Sequence, residues 1–476
     1  MNILLIHADE HRADCLGFCN KELKTPNIDS LAKDGETYTN HYCTFPVCTP
    51  SRYSLLTGKY SHEHLGFSNH CTPLPSIKSF VSVLKENKYR TKAIGKMHFT
   101  PTYLDMGFEE MILAEQDGPG RFEDDYHSYL AENQLIDDID ITDQRQEYRK
   151  NASEEYFKSF GAKESDLPLE HHSTTYIKNH ALEEISTWEN GENHFLMLGF
   201  IKPHHPFDPP YPYSTMYDPD ALTLLDGYLD EVPKADYDRS HGYFDNADLD
   251  EKTLRKIMSL YYGTITQIDD SIGEIIRLMK QKGIYDDALI VYTSDHGDYM
   301  GFHHMMLKGN HLYDPLVKIP LIMKYPRSEH TGIVKTLSSN IDVADAVLSV
   351  AGIPSDFPKG IRGRQMVIAE DKCDGLNEYM VRSERFKLNV LGDLSNTRFY
   401  DLENDPFELN DLSADPQYAE EILNHKLFLS NEILFHSMPP LSLDENGKAV
   451  KDPEMIKERS LRLTEYFKTK SKNYHL

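Results

Sequence analysis

A short segment near the start of the chain combines a nucleophile, a helix start and a cation. It reads Cys48-Thr49-Pro50-Ser51-Arg52. Proline suits the first turn of a helix, so Cys48 is predicted at a helix N-terminus, where backbone N–H groups favour an anion. Arg52 follows one turn later and can point back toward Cys48. On this segment alone, a buried cysteine with a surface arginine remains the alternative.

Other polar clusters directly follow short apolar runs. These runs are predicted strands, over residues 2–7, 91–94, 194–201, 288–293 and 319–323. An open parallel sheet presents its active site at the carboxyl ends of its strands. Helical patterns lie between them, at 76–87 and where Ile265, Ile268, Ile272, Ile275 and Met279 step by three and four. The alternation predicts an α/β sandwich.

The pattern of predicted elements changes beyond residue 354. This change predicts two units, a catalytic domain over 1–355 and a C-terminal subdomain over 356–476. Two acidic, tyrosine-rich stretches, about 122–170 and about 213–252, interrupt the first unit. They are predicted to be insertions at the active edge of the sheet, where loops carry specificity. In the second unit, antiparallel strands are predicted over 379–390 and 397–402, and a helix over 416–434.

Charge and composition limit the partners. The 476 residues include 50 Lys and Arg against 77 Asp and Glu, a formal charge of −27. This charge argues against nucleic acid and membrane surfaces as partners, and any anion site must be locally basic. No signal sequence or apolar run of about 18 residues is visible, so a cytoplasmic location is expected. Six cysteines in so long a chain predict free thiols.

The segment 48–52, followed by Leu56-Thr57-Gly58, resembles the signature of the type I sulfatases, in the alkaline-phosphatase-like superfamily. The resemblance continues in order along the chain, except in the two insertions. It implies an alkaline-phosphatase-like sandwich with a large mixed, mostly parallel sheet between helices, and a small C-terminal α+β subdomain with an antiparallel sheet. It also implies that a formylglycine-generating maturation enzyme oxidises Cys48 to 3-oxoalanine (formylglycine).

The resemblance implies one divalent metal ion, Ca²⁺ or else Mg²⁺ or Mn²⁺. Asp9 and Glu10 match the metal loop after the first strand, where the family often has two aspartates. Asp295 and His296 match the second metal loop, and the modified Cys48 completes the expected ligands. Carboxylate oxygens suit hard cations, and the imidazole nitrogen weakly favours Mn²⁺ or Mg²⁺ over Ca²⁺. Of the expected ligands, Glu10 has the weakest support, because its longer side chain could instead form a hydrogen bond to another metal ligand.

The same resemblance assigns Lys96 and His98 to a Gly-Lys-x-His motif that neutralises the sulfate and orients or deprotonates the formylglycine hydrate. Residues 202–207 resemble the Pro-His-x-Pro turn of the family. The match gives the functional role to His204 and makes His205 the spacer. Lys308 is the expected sulfate-binding lysine. The nearby histidines, His303 and His304, are expected to be solvated loop residues, or else to reach the pocket.

The predicted function is hydrolysis of a sulfate monoester, through a formylglycine hydrate and a divalent metal. The metal and the cations Arg52, Lys96 and Lys308 would offset the sulfuryl charge. His204 or Lys308 would protonate the departing alcohol, and His98 would take a proton when sulfate is released. The expected substrate is a small sulfated carbohydrate or an alkyl sulfate.

Two alternatives and one question stay open. A phosphonate monoester or phosphodiester hydrolase would use the same fold, metal and nucleophile. A non-catalytic sulfate-binding homologue would result if Cys48 were never oxidised. The sequence does not determine whether the protein is a monomer or a homo-oligomer.

Overall fold

Strands and helices alternate along most of the described chain. The computed structural model describes residues 1–189, 191–236, 244–309, 311–372 and 377–436. The strands are β1 (Ile3–Asp9), β2 (Glu36–Tyr38), β3 (His41–Tyr42), β4 (Arg90–Gly95), β5 (Glu110–Leu113), β6 (His194–Pro203), β7 (Leu289–Ser294), β8 (Leu321–Lys324), β9 (Gly332–Val334), β10 (Ser338–Ser339), β11 (Val367–Asp371), β12 (Glu378–Arg382), β13 (Phe386–Leu391) and β14 (Thr397–Asp401). The α-helices are α1 (Pro26–Asp34), α2 (Cys48–Thr57), α3 (Ser61–His64), α4 (Phe80–Glu86), α5 (Asp125–Glu132), α6 (Asp138–Gln144), α7 (Gln146–Arg149), α8 (Glu154–Lys158), α9 (Ser173–Thr187), α10 (Glu251–Gln281), α11 (Asp314–Val317), α12 (Val343–Val350) and α13 (Ala419–Asn431).

Eight strands form the large sheet, in the order β5-β4-β6-β1-β7-β8-β2-β9. From β5 to β7, each strand is parallel to its neighbour. β8 is antiparallel to both β7 and β2, and β9 is parallel to β2. The predicted mixed, mostly parallel sheet is therefore confirmed. The five strands predicted from apolar runs correspond to β1, β4, β6, β7 and β8.

Apolar layers cover both faces of this sheet. In β1, Leu4 and Ile6 pack into one layer, together with isoleucines of α10. Ile3 and Leu5 pack into the other, with residues of α2, α4 and α12. Because successive strand residues face opposite sides, a strand that is buried throughout requires helices on both faces. The arrangement is the predicted α/β sandwich.

Two predicted helices begin later than the sequence pattern indicated. The helix predicted over 76–87 begins at Phe80, because the Ser79 side chain accepts a hydrogen bond from the backbone N–H of Ser82 (3.0 Å) and caps the helix there. The helix predicted over 416–434 is α-helical only over Ala419–Asn431 (α13), with a 3₁₀ turn before it and a π-helical turn after it.

A separate antiparallel sheet, in the order β11-β12-β13-β14, lies in the C-terminal part of the described chain. The strand region predicted over 379–390 is divided into β12 and β13 by a turn, in which the N–H of Ser383 donates to the carbonyl of Phe386 (2.9 Å). The small antiparallel sheet of the predicted subdomain is thus confirmed, whereas residues 437–476 lie outside the described residues.

Helices α5 to α8 occupy the first predicted insertion, 122–170. Asp143 in α6 lies 3.3 Å from the Nε2 atom of His205, so this segment borders the carboxyl end of β6. The described part of the second predicted insertion, 213–252, forms short 3₁₀ turns and the first two residues of α10. Its residues 237–243 lie outside the described residues.

The described cysteines Cys15, Cys19, Cys43, Cys48 and Cys71 are free thiols, as predicted. Cys373 lies outside the described residues. Among the helices that the structure describes, none is both long enough and apolar enough to cross a lipid bilayer.

Candidate active site

The carboxyl ends of five neighbouring parallel strands meet at one edge of the large sheet. Asp9 ends β1, Lys96 follows β4, His204 follows β6 and Asp295 follows β7. These residues are far apart in the sequence, but their strands are neighbours in the sheet. Parallel strands end on the same side, so the topology brings these four side chains together.

Cys48 lies at the centre of this edge. It is the first residue of α2, as predicted, and it has no exposed surface. Its Sγ atom lies 3.2 Å from Nζ of Lys308, 3.3 Å from Nε2 of His296 and 3.6 Å from Oδ1 of Asp9. Burial and Asp9 would raise the pKa of the thiol, but Lys308 and Lys96 hold it well below its usual value. The site therefore stabilises negative charge on this side chain.

Arg52 connects Asp9 and Asp295. Its Nη2 atom donates to Oδ2 of Asp9 (3.0 Å) and its Nε atom to Oδ2 of Asp295 (2.9 Å). Nζ of Lys96 lies 2.7 Å from the same Oδ2 atom of Asp9. Burial would raise the pKa of Asp9, but Lys96 and Arg52 hold it well below its usual value. In Asp9 and in Asp295, one carboxylate oxygen therefore contacts a cationic side chain, and the other lies on the side of Cys48.

Four side chains could hold a metal ion here. One ligand atom each from Asp9, Cys48, Asp295 and His296 lies within 4.8 Å of all the others, and all four residues are buried. The Nδ1 atom of His296 lies 2.9 Å from the carbonyl oxygen of Gly297. An N–H at Nδ1 would donate to this carbonyl and leave the lone pair of Nε2 directed toward Cys48. The donor set fits one divalent cation.

Glu10 belongs to a different cluster. Its Oε2 atom lies 3.0 Å from Nζ of Lys308, 3.3 Å from Nε2 of His204 and 3.5 Å from Nδ1 of His205. Its pKa is held well below its usual value, mainly by Lys308, against the effect of burial. The structure thus places the Glu10 carboxylate beside Lys308 rather than with the carboxylates of Asp9 and Asp295.

His204 and His205 stack on each other, with ring centroids 4.2 Å apart. Both face Glu10, but His205 also lies 3.3 Å from Asp143. Burial and the Lys308 ammonium lower the pKa of His204 to about 4. The His204 imidazole is therefore neutral near pH 7 in the resting site.

His98 also lies at this edge, with a partner that the sequence reasoning missed. Its Nε2 atom lies 2.6 Å from Oδ1 of Asp117. Burial would lower the pKa of His98, but Asp117, together with Cys48, raises it to about 10. Asp117 follows the short apolar strand β5, and the same rule that located the other strand-end clusters would have found it.

The other two predicted histidines do not contact Cys48. The ring nitrogens of His303 lie 3.0 Å from Oδ2 of Asp236 and 2.7 Å from the carbonyl oxygen of Phe407. Both ring nitrogens of His304 lie 2.8 Å from backbone carbonyls. The expectation of solvated loop residues is wrong, because both side chains are buried. Their contacts hold the loop that carries Lys308.

The mixed sheet between two helical layers, with the buried cysteine at its carboxyl edge, defines an alkaline-phosphatase-like fold. The family model described as Sulfatase matches residues 1–353. The chain therefore belongs to the sulfatase family and is a hydrolase that acts on sulfuric ester bonds.

Individual relatives are similar to this chain over most of its length. The chain is 28% identical to the multifunctional alkaline phosphatase superfamily protein PehA of Trinickia caryophylli, with 88% of this chain and 92% of that protein covered. It is 27% identical to an arylsulfatase of Clostridium perfringens, with the same coverage. The phosphonate monoester hydrolase of Agrobacterium radiobacter shares the fold, with a TM-score of 0.75 at 22% identity, over 95% of this chain and 100% of that chain.

Proposed function

We propose that the protein hydrolyses a sulfate monoester to an alcohol and inorganic sulfate, with residue 48 as the nucleophile after oxidation of Cys48 to formylglycine. The observation that carries the proposal is the position of Cys48 Sγ, within 3.6 Å of Lys308, His296 and Asp9. A buried side chain beside an ammonium group and a set of possible metal ligands suits a nucleophile that attacks an anionic ester. The expected substrate is a small sulfated carbohydrate or an alkyl sulfate.

The implied groups fit the residues present. Asp9, Asp295, His296 and residue 48 would hold one divalent ion, Ca²⁺, Mg²⁺ or Mn²⁺, whose charge would favour the deprotonated hydroxyl at residue 48. The formylglycine hydrate would supply that hydroxyl. Because Cys48 is completely buried, a maturation enzyme would have to act before the chain is fully folded.

The chain's own side chains would bind and orient the ester. Arg52 and Lys96 neutralise Asp9 and Asp295, so Lys308 and the divalent ion would supply the positive charge for the sulfuryl oxygens. Lys308 reaches both residue 48 and Glu10, and it keeps 15% of its side chain exposed, so it borders the entrance for substrate. His98 lies where it can hold a proton next to residue 48.

Of the two residues predicted to protonate the departing alcohol, Lys308 is the one that carries a proton in the resting site. Its pKa is raised well above its usual value, chiefly by Cys48 and Glu10 against the effect of burial, whereas His204 is neutral in the resting site. We assign Lys308 to the protonation of the departing alcohol, and His204 to the orientation of Glu10 and Lys308.

Replacing Lys308 should therefore make the rate more sensitive to the leaving group. We expect Lys308→Ala to lower kcat/KM for an alkyl sulfate about 10²-fold more than for an aryl sulfate with a good leaving group, because a stable phenolate needs little protonation. His204→Ala is the matched comparison and should lower both values by similar factors. Equal losses in Lys308→Ala would contradict the assignment of the donor.

The test of the function is a substrate panel, together with mass spectrometry of the peptide that contains residue 48, which shows whether Cys48 has been oxidised. The panel contains sulfated sugars, choline sulfate, an aryl sulfate, a phosphonate monoester and a phosphodiester. We expect the highest kcat/KM for a sulfate monoester. A higher value for either phosphorus ester would favour the alternative hydrolase. Unmodified Cys48 together with sulfate binding and no turnover would favour a non-catalytic protein.

A further inference from the structure

A second group of side chains with metal-binding atoms lies next to the candidate active site, outside the cluster of Asp9 and Asp295. It consists of His70, His98 and Asp117, called here the rim cluster, and one ligand atom from each residue lies within 4.8 Å of the other two. Nε2 of His98 lies 2.6 Å from Oδ1 of Asp117, and Nε2 of His70 lies 3.7 Å from Oδ2 of the same carboxylate. The carboxylate thus contacts both imidazoles, each through a different oxygen.

Polar atoms of the rim cluster lack ordinary hydrogen bonds. Both ring nitrogens of His98 and the Oδ1 atom of Asp117 are buried, and they make no directed hydrogen bond to any residue that the structure describes. Nε2 and Oδ1 are therefore in contact through charge, but without the geometry of a hydrogen bond. Buried polar atoms without hydrogen bonds are rare in proteins, and an ion that binds them is one physical reason for their presence.

The backbone after Asp117 leaves space for the ring of His70. Gly118 has a φ of 61°, and a Cβ atom at this position would overlap Cε1 and Nδ1 of His70. A residue without a side chain is therefore needed for the imidazole to lie against this backbone. The His70 side chain is 47% exposed, so the third ligand of the rim cluster is open to an ion from solvent.

Two hydrogen bonds connect the rim cluster to the first turn of α2. The backbone N–H of Thr49 donates to Oδ1 of Asn69 (3.1 Å), and the hydroxyl of Thr49 donates to the carbonyl oxygen of His98 (2.8 Å). Thr49 directly follows Cys48 in the sequence. An ion held by the rim cluster would therefore lie near residue 48, on the more exposed side of His98.

We propose that His70, His98 and Asp117 bind a Zn²⁺ ion that inhibits the enzyme. Two imidazole nitrogens and one carboxylate oxygen are ligands that suit Zn²⁺, whereas Mg²⁺ and Ca²⁺ prefer oxygen. A tetrahedral Zn²⁺ at about 2.0–2.2 Å from each ligand holds the ligand atoms roughly 3.3 Å apart. The two distances in the rim cluster, 2.6 Å and 3.7 Å, lie on either side of that value. Water would complete the coordination.

The charges around the rim cluster are compatible with a cation. The neighbouring ammonium group of Lys96 is paired with Asp9 at 2.7 Å. Asp117 already attracts positive charge to the His98 ring, since it raises the pKa of His98 to about 10 against the effect of burial. The ion would take the place of the proton on His98, and this proton would be released to solvent.

The inhibition, unlike the binding, rests on the proposed function. His98 is expected to take a proton when sulfate leaves residue 48. A Zn²⁺ ion bound to the imidazole withdraws it from that proton transfer, so turnover should fall as the rim cluster fills. The exposed ligand His70 has no part in the proposed reaction, and it can be replaced without touching the residues that carry out the chemistry.

Binding can be tested without turnover, in crystals of the unmatured protein that are loaded with Ca²⁺ and then soaked in ZnCl₂. Anomalous diffraction on both sides of the zinc absorption edge distinguishes Zn²⁺ from Ca²⁺. We expect a zinc peak among His70, His98 and Asp117 in the wild type and none there in His70→Gln. A zinc peak confined to the cluster of Asp9 and Asp295, or an unchanged peak in His70→Gln, would overturn the site.

Inhibition is tested on the matured protein, with a sulfate ester, saturating Ca²⁺ and increasing ZnCl₂. We expect His70→Gln to keep the wild-type rate without zinc and to raise the half-inhibitory Zn²⁺ concentration about tenfold or more, because one of three ligands is lost. His180→Gln is the matched control. His180 lies 3.4 Å from Glu183 in α9, but it belongs to no group of metal-binding atoms found among the described residues. It should keep the wild-type response.

Equal inhibition of the wild type, His70→Gln and His180→Gln would overturn the inhibitory role of the rim cluster, since Zn²⁺ would then act elsewhere. If the matured wild type hydrolyses no sulfate ester, the proposed function fails. The zinc peak in the crystals still decides whether the site exists, so the two failures are distinguishable.

Discussion

Cys48→Ala is expected to abolish turnover of every sulfate ester and to leave the thermal unfolding transition nearly unchanged. Without the sulfur no aldehyde can form, so the reaction loses its nucleophile; loss of a covalent nucleophile lowers kcat by about 10³-fold or more in hydrolases. The fold should tolerate the change, because Lys308 keeps its contact with Glu10 (3.0 Å) and the missing atom is small. We expect a loss in the free energy of unfolding of roughly 1 kcal/mol. Steady-state assays and calorimetry would measure the two effects.

Two further variants serve as controls for this result. Cys43→Ala removes another completely buried cysteine, which lies outside the site and packs with residues of α11. It should keep both maturation at residue 48 and turnover. Cys48→Ser places a hydroxyl at the same position without the aldehyde and should be nearly inactive. Appreciable turnover by Cys48→Ala would contradict the assigned nucleophile.

The strand-end residues could be located from the sequence because their positions follow from the sheet. Asp9, Lys96, His204 and Asp295 each come directly after a short apolar run, and parallel strands end at one edge. No long-range information was needed beyond that rule and the order of the motifs. The buried run of β1, apolar on both faces, likewise indicated a sheet between helices.

Side-chain partners were less predictable, because loops distant in the chain decide them. Glu10 has a positive φ of 63°, and its carboxylate lies beside Lys308 from a loop about 300 residues later. His303 contacts segments near residues 236 and 407, and His304 contacts backbone carbonyls at Leu229 and Asn246; none of these segments shows a sequence motif. Asp117 was not predicted, because the short strand β5 that precedes it was not recognised in the sequence. In each case the local sequence pattern predicts the helix or strand, but the partner of a side chain depends on how distant elements pack together.

Removal of the divalent ion is expected to reduce turnover to background and to lower the thermal transition. The ligand cluster of Asp9, Asp295, His296 and residue 48 forms only in the folded chain, so an ion that binds there stabilises it by mass action; at 100 times its dissociation constant the effect is about 2.7 kcal/mol. Chelation followed by dialysis, with calorimetry and a sulfate ester assay, would measure both changes. Full activity in protein shown to be metal-free would refute the metal site.

Restoring single ions to the metal-free protein should then identify the preferred metal. Nε2 of His296 lies 3.3 Å from Cys48 Sγ and offers a nitrogen ligand, which favours Mn²⁺ over Ca²⁺ relative to a site made only of oxygens. His296→Asn replaces that nitrogen with an amide oxygen, so we expect the ratio of activity with Ca²⁺ to activity with Mn²⁺ to rise about tenfold or more, equivalent to about 1.4 kcal/mol. The Arg52 contacts to Asp9 and Asp295 remain in this variant, which separates the choice of ion from the integrity of the site. An unchanged ratio would show that His296 does not bind the metal.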